Sequence, residues 1–363
     1  MLAAAAGASV ILDGAGQDAL AGIRIDKDYI TISGLTVQGM GYGLGTFSED
    51  PDVLLHGTVI QDVISRNNEQ NGLYLSAARD FVVDRVESYG NGQDGIAILG
   101  TERGYASHGW VVEALIHDNG PDPSAHGLSI NQGHSIAVCD SVSYDNMSHN
   151  FDVSDWPKRG LISHNITLEG NTAYGSPRQA GFSINSDSTG VRFLRNIAHD
   201  NVVGFYCYEG CCDVLWAHNV AFGNKHGFQV EHKPARYVDT GSTSLRFYNN
   251  VSTDNQWEVD FAYPALEIER SGYDVTLSHN LLRAPSIASA VVRLDNARYD
   301  ADELDSIGEG NFSAQPGFIN PDAADFMPAE GSALLDAGAL LTVDGIKEPF
   351  LVSAPDIGAA EVQ

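Results

Sequence analysis

Positive charge is scarce in these 363 residues: 20 Lys and Arg stand against 48 Asp and Glu, a formal net charge of −28. Binding to duplex nucleic acid or to an anionic membrane rests on cations that neutralise phosphates, so both partners are excluded. Charged residues make up only 19% and apolar ones 43%, which excludes disorder and requires a sizeable core. Long apolar runs are missing too; none approaches the roughly 20 residues of a membrane helix. The opening "MLAAAAGASV" is too short for a secretory leader and lacks its basic start, so a secreted chain already trimmed of its leader is expected. With four cysteines, a disulfide scaffold is out of reach. Cys207, Cys211 and Cys212 cluster in "CYEGCC" and Cys139 stands apart, which permits a bridge but not the paired spacing of a zinc site.

Helical periodicity is also lacking, and a repeat takes its place. Aligned on an asparagine, "ITLEGN" ends at Asn171, "VRFLRN" at Asn196, "VLWAHN" at Asn219, "LRFYNN" at Asn250 and "VTLSHN" at Asn280, with spacings of 25, 23, 31 and 30. A second asparagine follows five positions later at Asn201, Asn224 and Asn255, and Asn91, Asn119 and Asn146 hold the same register earlier. A period of this length built from short β-like runs means a solenoid, in which each copy buries its apolar face only by stacking on its neighbours. Stacked asparagines in the turns can pair amide to carbonyl between copies.

Each second asparagine is followed by a turn and an alternating run that begins at Gly72, Gly95, Gly127, Asn150, Gly181, Gly204 or Gly227. Alternation is the strand signature. Leu73 and Leu75, Ile96 and Ile98, Leu128 and Ile130, Phe151 and Val153, Phe182 and Ile184, Phe205 and Cys207, and Phe228 and Val230 are predicted to point inward. The third, fifth and sixth residues of each run then form outward columns on a parallel sheet, with neighbours about 4.8 Å apart.

The pattern resembles the right-handed parallel β-helix of secreted polysaccharide-active proteins. The opening "GIRIDKDYITISGLTVQGMG" is similar to their first rungs, and "PGFINPDAADFMPAEGSALLDAGA" through "DIGAAE" to a closing segment of bacterial members. The expected architecture is all-β: a single-stranded right-handed parallel β-helix in one domain. Entry rungs run to about residue 60, the central solenoid spans 61–305, and an irregular C-terminal cap spans 306–363. The resemblance implies a monomer that acts outside the cell on a polysaccharide.

A linear polymer suits an outward sheet column flanked by long loops. Polar and ionisable residues gather in the rungs from Gly127 to Lys233, and the lower rungs read as bland. The third column runs Tyr74, Ala97, Ser129, Asp152, Ser183, Tyr206, Gln229; the fifth runs Ser76, Leu99, Asn131, Ser154, Asn185, Tyr208, Glu231. Asp152 stands out because Asp is depleted in strands. Candidate catalytic residues are Asp152, Asp155, Tyr206, Tyr208, Glu209, Glu231, His232 and Lys233. Candidate binding residues are Asn131, His134, Trp156, Lys158, Arg178, Asn185 and Arg236. From Lys158 to Arg236 lie 8 of the 20 basic residues in 79 positions, a handle for an anionic sugar. His126, His149 and His226 precede their strands and read as turn residues.

Three reaction classes fit these columns. A polyuronide lyase needs a group that neutralises the sugar carboxylate, a base for the C5 proton and an acid for the leaving oxygen; Tyr206 or Tyr208 with His232 and Lys233, helped by Arg178 or Lys158, supplies them. A C5 epimerase uses the same set and returns the proton. An inverting hydrolase needs two carboxylates, such as Asp155 with Glu209, or Asp152 with Glu231. A non-catalytic carbohydrate-binding solenoid is the remaining alternative. The stretch "HNFDVSDWPKRG" (His149 to Gly160) is similar to a calcium-binding rung of the ninth polysaccharide lyase family, which reads Asp-Asp-Gly-Phe-Asp and is followed one rung on by a lysine in "GFK". Here the two rungs read "SHNFD" and "GFS". The resemblance therefore implies calcium at Asp152 and places other residues where that family has two ligands and its lysine.

Overall fold

The computed structural model describes the chain apart from residues 6, 16–19, 49, 51, 102–103, 156–159, 186, 209, 232–242, 259–260, 263–264, 269–272, 285–290, 344–345, 348–353 and 363. Among the described residues most strands lie in three long sheets of 14, 11 and 12 strands, here called first, second and third, and three two-stranded pairs stand apart from them. Each turn of the coil contributes one short strand to each sheet. His164–Glu169 joins the first, Thr172–Tyr174 the second and Ala180–Asn185 the third. Pairing between successive rungs is parallel, as between Phe151 and Phe182 or Asp152 and Ser183. The expected β-helix is therefore the fold.

Alternation fixes the core. Every residue predicted to point inward from the third sheet is at most 2% exposed. Phe151, Phe182, Phe205 and Phe228 stack face to face at 5.0, 5.0 and 4.8 Å between ring centroids, and Trp216 stacks on Phe247 at 4.4 Å. A buried aromatic in one rung thus meets the same residue type one rung on, which favours in-register stacking.

The corners explain both the asparagines and part of the acidity. The residue before each ladder asparagine often adopts left-handed backbone, as at Asp118 (φ 54°), Asp145 (φ 52°) and Asp200 (φ 55°), a conformation Asp and Asn tolerate better than most residues. The asparagine that follows turns inward. Asn171, Asn196, Asn219, Asn250, Asn280 and Asn311 form one ladder, each side-chain amide donating to the next carbonyl at 2.9–3.1 Å. Asn68, Asn91, Asn119 and Asn146 form the second, which resumes with Asn201, Asn224 and Asn255. Buried polar groups are tolerable because their partners are in place.

Between Asn146 and Asn201 the second ladder meets Ser176, which is too short to continue it. Asn150 spans this gap. Its carbonyl accepts from Asn146 Nδ2 at 2.8 Å, and its amide donates to Tyr174 O at 2.9 Å and Asn201 Oδ1 at 3.2 Å. At the matching position one rung below, a Cβ on Gly127 would lie 2.1 Å from Ser143 Oγ and 2.7 Å from Asn146 Nδ2. Above Asn150 those two residues are Ala173 and Ser176, which removes the obstruction. The exceptional residue at 150 is thus the repair of a break made elsewhere.

The C-terminal segment does more than close the end. Phe326, Leu334 and Ile357 pack on Val220, Val251 and Leu281, which face outward from the upper rungs of the second sheet. Asn249 exchanges hydrogen bonds with the backbone of Ala339, both at 2.8 Å. A disulfide joins Cys207 to Cys211. Among the described residues, no helix is long and apolar enough to cross a membrane.

Candidate functional site

On the outer face of the third sheet lies a cleft of about 650 Å³. Three stacked columns build it. The floor is the third column, in which Tyr74, Ala97, Ser129 and Asp152 are in register on consecutive rungs. One wall is the fifth column, with Leu99, Asn131, Ser154, Asn185 and Tyr208. The opposite wall is the residue before each strand-leading position: Tyr42, Asn71, Asp94, His126 and His149.

Polar groups concentrate around Asp152, which is 3% exposed. Its Oδ1 accepts from the Ser183 hydroxyl and from Asn185 Nδ2, the latter at 3.1 Å. One rung lower, Asn131 Oδ1 accepts from Ser154 Oγ at 2.6 Å. Asp94 takes the backbone N–H of His126 at 2.8 Å and the Ser129 hydroxyl at 2.7 Å. Burial holds the Asp94 carboxyl above the usual carboxylate range; His126 opposes the shift, and the charge of Asp152 adds to it. The His126 and His149 rings stack at 5.3 Å, and His149 lies 6.1 Å from the Tyr208 ring, which stacks on Tyr206 at 4.9 Å.

His149 is 2% exposed, and its Nδ1 accepts the backbone N–H of Ala180 at 3.1 Å. Burial lowers its pKa to about 4; Asp152 counters this and His126 reinforces it. The ring is therefore neutral at neutral pH. With Nδ1 accepting, the proton sits on Nε2 and makes that atom a donor. His126 Nδ1 is buried without a hydrogen-bond partner, an unusual condition for a polar atom in a folded protein.

Asp152, Tyr208, Asn131 and Asn185 therefore share one cleft, and the other candidates are dispersed or outside the described residues. Asp155 and Tyr206 are each 9% exposed and do not line the cleft. Glu231 accepts from Gln229 at 3.3 Å, higher up the sheet. Arg178 is exposed in the turn ahead of Ala180. His134 belongs to the first sheet, where it packs with Tyr105, His108 and His164. Trp156, Lys158, Glu209, His232, Lys233 and Arg236 fall outside the described residues. Of the ionisable groups in the cleft, Asp94, Tyr42 and Tyr74 were not among the sequence candidates, nor were His126 and His149, which read as turn residues. For Asp94, His126 and His149 the signal was one position away, in the column immediately before the strand-leading glycine. The cleft also reaches down to Tyr42 and Tyr74, through rungs whose composition reads as bland.

Calcium takes six to eight oxygen ligands, and the donors around Asp152 do not fit that need. Oδ1 is engaged by Ser183 and Asn185. Among the described residues, no three His, Cys, Asp or Glu groups gather where they could hold a metal ion.

Known proteins share the fold more than the sequence. The pectate lyase Pel9A aligns over 99% of this chain and 90% of its own, with a TM-score of 0.56 and 15% identity. The periplasmic alginate epimerase AlgG aligns over 78% of this chain and 50% of its own, with a TM-score of 0.45 and 13% identity. A mannuronan C5-epimerase of Pseudomonas putida is 20% identical over 172 residues, 40% of this chain and 29% of that protein, so the chain spans less than a third of that relative's length. The family model for the right-handed β-helix region matches residues 21–250, well over half of the chain, and the protein belongs to that family.

Proposed function

We propose that this protein is a secreted or periplasmic enzyme that cleaves a uronic-acid-containing polysaccharide by β-elimination. The observation that carries this reading is the meeting, beside Asp152 in one cleft, of neutral His149 and Tyr208, their rings 6.1 Å apart. In β-elimination a base removes the C5 proton, the released electrons form the C4–C5 double bond, and the C4–oxygen bond breaks as the leaving oxygen takes up a proton. Both transfers need a side chain that can take or give a proton within reach of the sugar. His126 and Tyr208 are assigned to proton transfer, and Asp152, whose charge acts on His149 and whose Oδ1 holds the Asn185 amide, to positioning the groups that face the sugar carboxylate. The His149 Nε2–H and the amides of Asn131 and Asn185 are donors for the sugar carboxylate, and they stabilise the charge that develops next to it. The disulfide between Cys207 and Cys211 supports an oxidising compartment.

C5 epimerisation is the second reading, favoured by the match to the Pseudomonas putida enzyme. It shares the first step and differs in where the proton returns. Hydrolysis would need a carboxylate pair across the cleft; Asp155, one of the expected pair, does not line it, and the two carboxylates that do, Asp94 and Asp152, make hydrolysis the reading that the product assay must separate from elimination.

The test is a panel of pectate, alginate, glucuronan and neutral polysaccharides, followed by ultraviolet absorbance, by reducing ends and by exchange of C5 hydrogen from heavy water. A lyase gives an unsaturated, absorbing product; an epimerase gives exchange without cleavage; a hydrolase gives reducing ends without absorbance. Because the donors around Asp152 do not make a calcium cage, the activity is expected to survive a chelator. Reducing ends alone, or no change in any polymer, would sink the β-elimination reading.

A further inference from the structure

The lower end of the cleft carries an aromatic group that the chemistry at Asp152 does not use. Tyr42 opens one strand, Phe47 follows its end, and Tyr74 sits on the next rung. The Tyr42 ring lies 5.0 Å from Tyr74 at 48° and 5.6 Å from Phe47 at 71°; Phe47 and Tyr74 lie 5.3 Å apart at 25°. The Arg24 guanidinium stands 5.8 Å from the Phe47 ring centroid on an exposed residue at the foot of the floor column. Tyr42 and Tyr74 line the same cleft as Asp152.

Two features separate this group from ordinary packing. Tyr42 and Tyr74 keep part of their surface in solvent, although aromatic rings gain most when fully covered. The next residue above Tyr74 in the column is Ala97, whose methyl group supplies no ring to cover that side. The floor from Asp152 downward is therefore graded: hydrogen-bonding at Ser129 and Asn131, flat and apolar at Ala97 and Leu99, aromatic at Tyr74 and Tyr42, then cationic at Arg24. Tyr74 lies three rungs below Asp152, about 14 Å at the usual spacing of parallel strands.

We infer that Tyr42 and Tyr74, with Phe47 and Arg24, form a distal subsite that stacks a sugar ring of an acidic polysaccharide several residues away from the bond acted on at Asp152. The inference rests on the reading of the cleft as a polysaccharide site. An apolar sugar face lies well on a ring, and the uronate carboxylate of the neighbouring sugar pairs with a guanidinium. Such a subsite makes the enzyme favour long chains and bind within them.

The experiment compares kcat/KM on a ladder of uronic-acid oligomers, some too short to reach from Asp152 to Tyr74 and some long enough. In the wild-type protein the value should rise once the oligomer spans that distance. Tyr74→Ala and Tyr42→Ala should each remove on the order of tenfold of that rise, the size of one aromatic contact, and leave the shortest cleavable oligomer unchanged. Tyr74→Phe should keep it, and Arg24→Gln should lower only the salt-sensitive part of long-chain binding. An equal loss at every length, or no loss at any length, overturns the subsite while the activity stands. Inactivity of the wild-type protein on every uronan removes the polysaccharide reading and the subsite with it.

Discussion

The outer faces of the second and third sheets carry similar residue types arranged in opposite ways. On the second sheet Tyr89, His117, Tyr144, Tyr174 and His199 form one in-register column. Their rings are 4.7–4.8 Å apart and within 10° of parallel. Each inner ring of that column has both faces covered by its neighbours, and nothing remains for a ligand. On the third sheet the aromatics are interrupted by Ala97, Ser129 and Asp152, and histidines stand beside carboxylates in a cleft. A solenoid stabilises itself by repeating, so an outward column that repeats is structure, and one that departs from repetition is where function resides.

The largest effect that could break this contrast is at Asp152. Asp152→Asn keeps the shape and the acceptor oxygen used by Ser183 and Asn185 but removes the charge. Activity on the polymer should fall on the order of a hundred- to ten-thousand-fold, with the unfolding midpoint nearly unchanged. Full activity in this variant would show that the irregular column is not the working one.

Next in size is a pH effect confined to the cleft. His149 titrates near 4 in the folded protein and near 6.5 when unfolded. Between those values the unfolded chain binds the extra proton, so stability falls as the pH drops from about 6.5 to about 4. A shift of this size corresponds to about 3 kcal/mol at most. Urea unfolding of the wild-type protein and His149→Gln at pH 7 and pH 4.5 should show a shallower loss in the variant. His226, also lowered to about 4 by burial, accounts for part of the slope that remains. An identical loss in both proteins would mean that His149 is not held neutral.

Asn150→Gly tests the ladder and returns the rung to the common pattern of the repeat. Sequence averaging would score it as a stabilising change. The geometry gives the opposite sign, since Asn146 Nδ2, Tyr174 O and Asn201 Oδ1 each lose a partner in a buried place. Each of them keeps another partner, in Ser143 Oγ, the Asp145 N–H and the Ser176 N–H, so the cost is that of three buried hydrogen bonds at about 0.5–1.5 kcal/mol each, offset in part by the lost side-chain ordering, and a loss of about 2 kcal/mol is expected from denaturant melts. A gain in stability would undo the assignment of Asn150 as the bridge.

Much of the scaffold was legible because it is periodic. The inward pairs from Leu73 to Val230 and the asparagine registers follow from alternation and spacing alone, and both stand in the fold. The cleft was legible only along the columns that alternation marks as outward, which is how Asp152, Asn131, Asn185 and Tyr208 were found. Asp94, His126 and His149 lie just ahead of the strands, where no periodicity says which way a side chain points. Their place in the cleft follows from the stacking of turns between rungs, a long-range property. Asn150 was visible as an exception, but its reason lay 26 residues away at Ser176, across the gap it spans.

The smallest expected effect gives the sharpest form of the comparison, because it sets one tyrosine of each face against the other. Tyr174 is sandwiched between Tyr144 and His199 at 4.7 and 4.8 Å, whereas Tyr74 has Phe47 on one side and Ala97 above it. Tyr174→Leu should cost about 1 kcal/mol of stability through two lost ring contacts and leave kcat/KM unchanged at every substrate length. Tyr74→Ala should also cost about 1 kcal/mol through its contacts with Tyr42 and Phe47 but, unlike Tyr174→Leu, should lose activity on long chains. If Tyr174→Leu lowers activity on long chains as Tyr74→Ala does, the polymer also touches the second sheet. Repetition would then no longer separate the structural columns of this solenoid from the working ones.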